Sequence, residues 1–264
     1  MFMKKLLFAF LLAGTLSQLS AQDSVTTSGT QVQDSIIKAN AQPKKKKRDW
    51  SKVNIDNRTG DHFMMQFGIN TWTQAPDSIA IKGFSRTFNA HLMYDLPFKT
   101  DPRFSVALGV GVGVDGTYFD KVIVDITGRK ANELTFQDVS DTTHFKKYKV
   151  TNTFLEVPLE LRFTSNPEKY NKSFKAALGA KVGTMVSAVA KGKTWQSSTG
   201  STLNAYTDKE KSKRFFNSTR LAVTGRIGYG IFSVFAVYQI NAFIKEGFGP
   251  DVRPLQVGIA ISGL

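Results

Sequence analysis

Phe104-Ser105-Val106-Ala107-Leu108-Gly109-Val110-Gly111-Val112-Gly113-Val114-Asp115 decides the fold. One parity of this stretch is Phe104, Val106, Leu108, Val110, Val112 and Val114. The other is Ser105, Ala107, Gly109, Gly111, Gly113 and Asp115. Period two is the signature of a β-strand, whose successive side chains point to opposite faces. In a chain that is 41% apolar, six matches in a row arise by chance roughly once in two hundred trials, and the pattern recurs. From Phe154 to Phe163, Leu155, Val157, Leu159, Leu161 and Phe163 alternate with Glu156, Pro158, Glu160 and Arg162. Near the end, Leu255, Val257, Ile259 and Ile261 alternate with Gln256, Gly258, Ala260 and Ser262. Further strands fit Phe63 to Trp72, Phe84 to Tyr94, Phe174 to Ala190, Phe216 to Tyr229 and Phe232 to Phe243. The expected fold is all-β: an antiparallel up-and-down transmembrane barrel of about eight strands.

A soluble barrel with a ligand cavity alternates too, so the solvent on each face has to be argued. The apolar parity is branched aliphatics and Phe without a charge, while the other mixes Gly, Ser, Gln and Asn with ionised groups. Aromatics gather near strand ends: Phe63, Tyr94, Phe104, Phe163, Phe174, Tyr229 and Phe232 at one set, Trp72, Phe84, Tyr118, Phe119, Tyr148, Phe215, Phe216 and Phe243 at the other. Two such girdles match the two interfaces of a membrane. Odd-numbered connections are long and even-numbered ones short, as in outer-membrane barrels with long outer loops and short periplasmic turns. Asp120 to Lys147 and Lys191 to Arg214 are then charged outer loops. These features place the chain in the outer membrane with its apolar parity on lipid.

The N-terminus agrees. Residues 1–21, with Lys4 and Lys5 before an apolar stretch from Leu6 to Leu12, read as a secretory signal peptide ending at Ala21. Residues 22–60 are Ser-, Thr-, Gln-, Asn- and Lys-rich, a composition that buries too little to order itself, and form a disordered periplasmic tether before the barrel at 61–264. The run Pro43-Lys44-Lys45-Lys46-Lys47-Arg48 resembles a nucleic-acid patch, but an exported chain meets no genome, so no nucleic-acid partner is expected. A solvated charge run, or contact with anionic envelope groups, remains.

The net charge is +14 and there is no Cys, which excludes disulfides, thiolate metal sites and a cysteine nucleophile. Three widely spaced His residues (His62, His91, His144) offer little for an imidazole metal centre or a triad. No metal or cofactor is expected.

Phe154 to Arg162, centred on Pro158, resembles a strand of the PorT-like outer-membrane barrels of Bacteroidota. The stretch Phe232 to Gln239, the loop Gly247-Phe248-Gly249-Pro250 and Pro254-Leu255-Gln256-Val257-Gly258 resemble that group's last hairpin, and a signal cut before Gln22 suits the same lineage. The resemblance implies an outer-membrane barrel from Phe63 to Leu264, in a group that includes components of type IX secretion and gliding machinery. Leu264 stands where such barrels usually carry an aromatic.

The inward parity places Asp115, Glu156, Glu160, Arg162, Lys175, Lys181, Arg220 and Arg226 in one lumen, structural rather than catalytic. An eight-stranded barrel has room inside only for side chains, and charges there need partners. Asp115, Glu156 and Glu160 are therefore expected to face Arg162, Arg220 and Arg226. The Gly109, Gly111, Gly113 ladder resembles a phosphate cradle, but it precedes no helix and fits close interior packing better. Diffusion through the lumen is disfavoured, since open channels need about sixteen strands. The functional expectation is a non-enzymatic envelope scaffold or partner-binding protein whose partners are outer-membrane lipid and envelope or secretion proteins. The alternatives are a lipid-modifying barrel enzyme using His91, which shares its parity with Thr87 and Asn89, and a ligand-binding barrel using the long outer loops.

Overall fold

In the computed structural model, the described residues are 62–263 apart from 77, 78 and 83. The expected signal peptide and tether lie outside them. Eleven strands are described: β1 (Phe63–Thr73), β2 (Arg86–Pro97), β3 (Phe104–Phe119), β4 (Val122–Asp125), β5 (Thr135–Asp138), β6 (His144–Thr164), β7 (Phe174–Gln196), β8 (Thr202–Lys211), β9 (Thr219–Tyr229), β10 (Phe232–Gln239) and β11 (Arg253–Ser262). Antiparallel pairing runs β6-β3-β2-β1-β11-β10-β9-β7, and β6 pairs back onto β7. Eight strands thus close into a barrel, which removes the unpaired edges that a membrane cannot accommodate. No described helix is long and apolar enough to cross a membrane.

One face of the wall is a continuous apolar belt. Phe67, Leu92, Leu108, Val110, Val112, Leu155, Val157, Leu159, Leu161, Leu178, Val182, Val223, Ile227, Val234 and Ile259 are all exposed. Facing water, that much contiguous apolar surface would be unstable; facing lipid, it is the outward parity expected of a membrane barrel. At one end the connections are short. Tyr229 pairs with Phe232 across the two-residue turn Gly230-Ile231, where Gly230 takes φ +64, as the tightest hairpins require. The other end carries the long connections and is the outer end.

Pro158 has no N–H to give the ladder. Between β3 and β6, Leu108 pairs with Leu159 and Gly111 with Glu156, while the residues between them are passed over. A Cβ on Gly109 would lie 3.3 Å from the Pro158 ring and 2.3 Å from the Met93 sulfur. One on Gly113 would meet the Asn89 carboxamide at 2.8 Å and the Glu156 carboxyl at 3.0 Å. The glycine ladder makes room for the inward side chains of Met93, His91, Asn89 and Glu156 rather than cradling a phosphate.

Two expectations are corrected. The segments Asp120 to Lys147 and Lys191 to Arg214 are outer, but they are not plain loops: strands make up a substantial part of the first and most of the second. They contain the β4–β5 hairpin, the first residues of β6, the last of β7 and all of β8. β6 and β7 rise well past the barrel, and β8 pairs with β7 from Val189 with Lys211 to Gln196 with Thr202. Signals for these strands are weak because both faces of β8 are exposed and carry no apolar alternation.

The outer aromatic girdle is also not a girdle. Of its expected members Phe84 is exposed, at 79%, and Tyr118 is half-buried on the outward side, whereas Trp72, Phe119, Tyr148, Phe215, Phe216 and Phe243 are buried. These buried rings pack with Phe154, Met185 and Ile244 in one apolar cluster at the outer end. Trp72 shares the inward parity of Gln66 and Asn70, and Phe119 that of Asp115. They therefore cap the lumen instead of meeting lipid. At the periplasmic end Tyr94, Phe104, Phe174, Tyr229 and Phe232 are exposed, as an interfacial belt requires.

Candidate functional site

Below the aromatic cap the lumen holds two tiers of buried charge. The upper one centres on Arg220, a fully buried side chain contributed by β9. Its guanidinium donates to Asp115 of β3, to Glu156 Oε1 of β6 at 2.9 Å and to Gln239 Oε1 of β10 at 3.1 Å. Its flat face lies 3.8 Å from the Phe154 ring centroid. Glu156 Oε2 accepts from Lys181 Nζ at 2.8 Å and lies 3.1 Å from His91 Nε2. Asp115 Oδ1 accepts from the Thr87 hydroxyl at 2.6 Å and from the Gln256 carboxamide at 2.8 Å. Asn89 donates to both Gln66 and Gln256 at 3.1 Å.

The lower tier centres on Glu160. Its Oε2 accepts from Arg162 Nε at 2.9 Å and from Arg226 NH2 at 3.2 Å. Arg162 lies 3.6 Å from Asp95, which also accepts from Ser105 at 2.7 Å. Lys175 Nζ sits 3.6 Å from the centroid of the Tyr170 ring, beneath the barrel. All the lumen residues named from the sequence are buried. The structure brings Asp115, Glu156, Lys181 and Arg220 together, brings Glu160, Arg162 and Arg226 together, and packs Lys175 over the Tyr170 ring. Sequence reasoning missed Asp95 and the amides of Gln66, Gln239 and Gln256. Asp95 shares its parity with Asn89 and His91, so its position in strand β2 is the available signal.

Chemically, this lumen is a register lock. Side chains from β2, β3, β6, β7, β9, β10 and β11 are cross-linked, so sliding any of these strands by one residue would move its inward set onto lipid. His91 is 2% exposed and held by Glu156. Among the described residues no group of three or more His, Asp or Glu side chains is placed to hold a metal ion.

The outer extension is built differently. The Tyr148 hydroxyl donates to Val124 O at 2.8 Å, pinning the β4–β5 hairpin against β6, and burial pushes its pKa up. After β4, Asp125 accepts from the Thr127 hydroxyl and from the backbone N–H groups of Thr127, Gly128, Arg129 and Lys130, at 2.8 to 3.0 Å. Burial alone would raise the Asp125 pKa, but the hydrogen bonds from Lys130, Thr127 and Gly128 outweigh it and hold it at about 2. A depressed carboxylate stabilises the folded turn above its unfolded pKa of roughly 3.9. That contribution is lost as pH falls toward about 2. Titration of the Asp125 carboxyl by NMR should give a midpoint of about 2, and a midpoint at the ordinary aspartate value would contradict this turn.

Residues 40–247 match the family model described as outer membrane protein beta-barrel domain. Two solved structures of Ail, the attachment invasion locus protein of Yersinia pestis, are similar at low level, one of them in complex with the heparin analogue sucrose octasulfate. They are 13% and 15% identical, each covering 76% of this chain and 94% of that chain with a TM-score of 0.32. No curated protein matches the chain. The family match spans well over half of the sequence, and the chain belongs to the outer membrane protein β-barrel domain family and resides in the outer membrane.

Proposed function

We propose that the chain is a non-enzymatic scaffold of the PorT-like kind found in Bacteroidota, which holds envelope or secretion proteins through its outer extension as an accessory of type IX secretion. The observation that carries this reading is the division of the molecule. The lumen is filled by paired charges beneath an aromatic cap, while β8 projects beyond the barrel and, among the described residues, pairs along one edge alone. An unpaired edge offers backbone N–H and C=O groups to a partner strand. His91, the side chain an enzymatic reading would use, is enclosed and engaged by Glu156, which supports a structural role for it.

The test is capture of partners from detergent-solubilised envelope by the full chain, compared with a variant in which residues 194–206 are replaced by Asn-Gly. The scaffold reading expects a defined set of proteins with the natural chain, their loss with the trimmed variant and their retention with His91→Ala. An identical set with the trimmed chain would overturn it.

A further inference from the structure

Where β6, β7 and β8 rise above the barrel, their register lines up lysines on one face. Lys149 pairs with Lys191, which pairs with Lys209; one step outward, Lys147 pairs with Lys193. Lys211 follows on β8, next to Val189. The opposite face is the one carrying Tyr148, Ala190, Gly192, Asp208 and Glu210, and Glu210 pairs with Arg129 there. Among the described residues, none of these lysines forms an ion pair. Neighbouring strands lie about 4.8 Å apart, and like charges directly opposite one another destabilise a sheet. The face is therefore self-repelling until an anion from outside the chain neutralises it.

Its position identifies that anion. The lysine face continues the lipid-facing wall: along β6 the outward residues are Leu161, Leu159, Val157 and Leu155, then Thr153 and Thr151, then Lys149 and Lys147. A hydrocarbon belt of about 25 Å, crossed by a tilted strand, spans roughly ten residues from Phe163 and so ends near Thr153. The lysines stand just above that edge. A second feature lies beside them, an outward groove of about 360 Å³ whose walls include Phe67, Phe88 and Val114, with Arg86 and Lys149 at its upper end. Arg86 pairs with Gly116, and Lys149 with Tyr118, so both cations flank the mouth of the groove. Val114 pairs with Thr153, so this largely apolar groove lies at the outer edge of the belt with cations at its mouth, a place that fits the upper end of an acyl chain with negative charge just above it.

We infer that this face binds an anionic glycolipid of the outer leaflet, with an acyl chain along the Phe67–Phe88–Val114 groove and sugar phosphates on Arg86, Lys149, Lys191 and Lys209. Bound lipid would clamp β6, β7 and β8 together and hold the extension at a fixed height above the membrane.

The test uses the full chain in zwitterionic detergent, with native mass spectrometry counting bound lipid. The probes are bisphosphorylated lipid A, the same lipid dephosphorylated, and inositol hexakisphosphate, which has phosphates but no acyl chain. The natural chain should retain the phosphorylated lipid and bind the other two far more weakly. Neutralising three cations in Lys149→Gln/Lys191→Gln/Lys209→Gln should weaken retention about a hundredfold, at roughly fivefold per charge, while the corresponding Lys→Arg triple retains it. Unchanged heat-dependent gel migration shows that both variants keep the barrel. Equal retention by the Gln triple, or equal binding of dephosphorylated lipid, would overturn the site. Inositol hexakisphosphate binding as tightly as lipid A would overturn the lipid as its occupant.

Discussion

Glu160→Gln alone should destabilise the barrel by about 3 to 5 kcal/mol, because it takes the shared carboxylate from two buried guanidiniums, and Arg226→Met alone by less, because Glu160 then still accepts from Arg162. The pair comes from β6 and β9, which are separated around the wall by β7, and meets inside at 3.2 Å. The double variant should recover much of the loss, since two neutral side chains of similar size leave neither charge unpaired. Arg162 also donates to Glu160, so recovery will be incomplete: with Gln in place of Glu160, Arg162 exchanges that carboxylate for a neutral amide oxygen and keeps Asp95 at 3.6 Å. The measurement is a double-mutant cycle on urea unfolding in liposomes. Strictly additive losses would mean that the two groups do not interact and that the lower tier is not a lock.

The second large effect lies on the opposite face. Val110 is 56% and Leu159 51% exposed, and both lie in the middle of the apolar belt that runs along β6 from Phe163 to Thr153 and along the facing part of β3. Val110→Arg and Leu159→Arg should each cost roughly 2 to 4 kcal/mol by placing a guanidinium near the middle of the hydrocarbon. The readout is the fraction of chain that reaches the heat-modifiable form in the outer membrane. Normal assembly of both variants would reverse the assignment of faces. The same substitution at Thr151 should be tolerated, because that position lies where the belt gives way to the lysine face.

The barrel strands are legible because a wall between lipid and a packed lumen forces period two on every strand, and Phe104 to Asp115 displays it without interruption. The lumen charges are legible for the same reason: Glu156, Glu160 and Arg162 can occupy only the parity opposite Leu155, Val157, Leu159 and Leu161. What is not legible lies where that constraint ends. β8 has water on both sides, so Thr202 to Lys211 shows no apolar alternation and reads as loop. The bulge between β6 and β7, where Phe154 faces Met185 but Thr153 faces Ser187, shifts the parity of β7 partway along. Lys175, Lys181 and Met185 point inward below it, and Ala188, Ala190 and Gly192 share the inward side above it. No local residue type marks that shift. The outer aromatics mislead for a different reason. Nearness to strand ends suggests an interface, yet Trp72 and Phe119 stand on the inward parity, and their direction outweighs their height.

The lysine face is hidden as well. Lys147, Lys149, Lys191, Lys193, Lys209 and Lys211 belong to segments that sequence alone treats as solvated charge, and only strand register makes them neighbours.

The scaffold reading depends on a lumen filled beneath an aromatic cap, and conductance across a planar lipid bilayer tests that most directly. With the full chain inserted, the membrane should stay electrically silent under applied voltage. Steady, voltage-independent ion current through single inserted barrels would contradict it, because an open path cannot coexist with Arg220, Glu156 and Asp115 cross-linked across the interior.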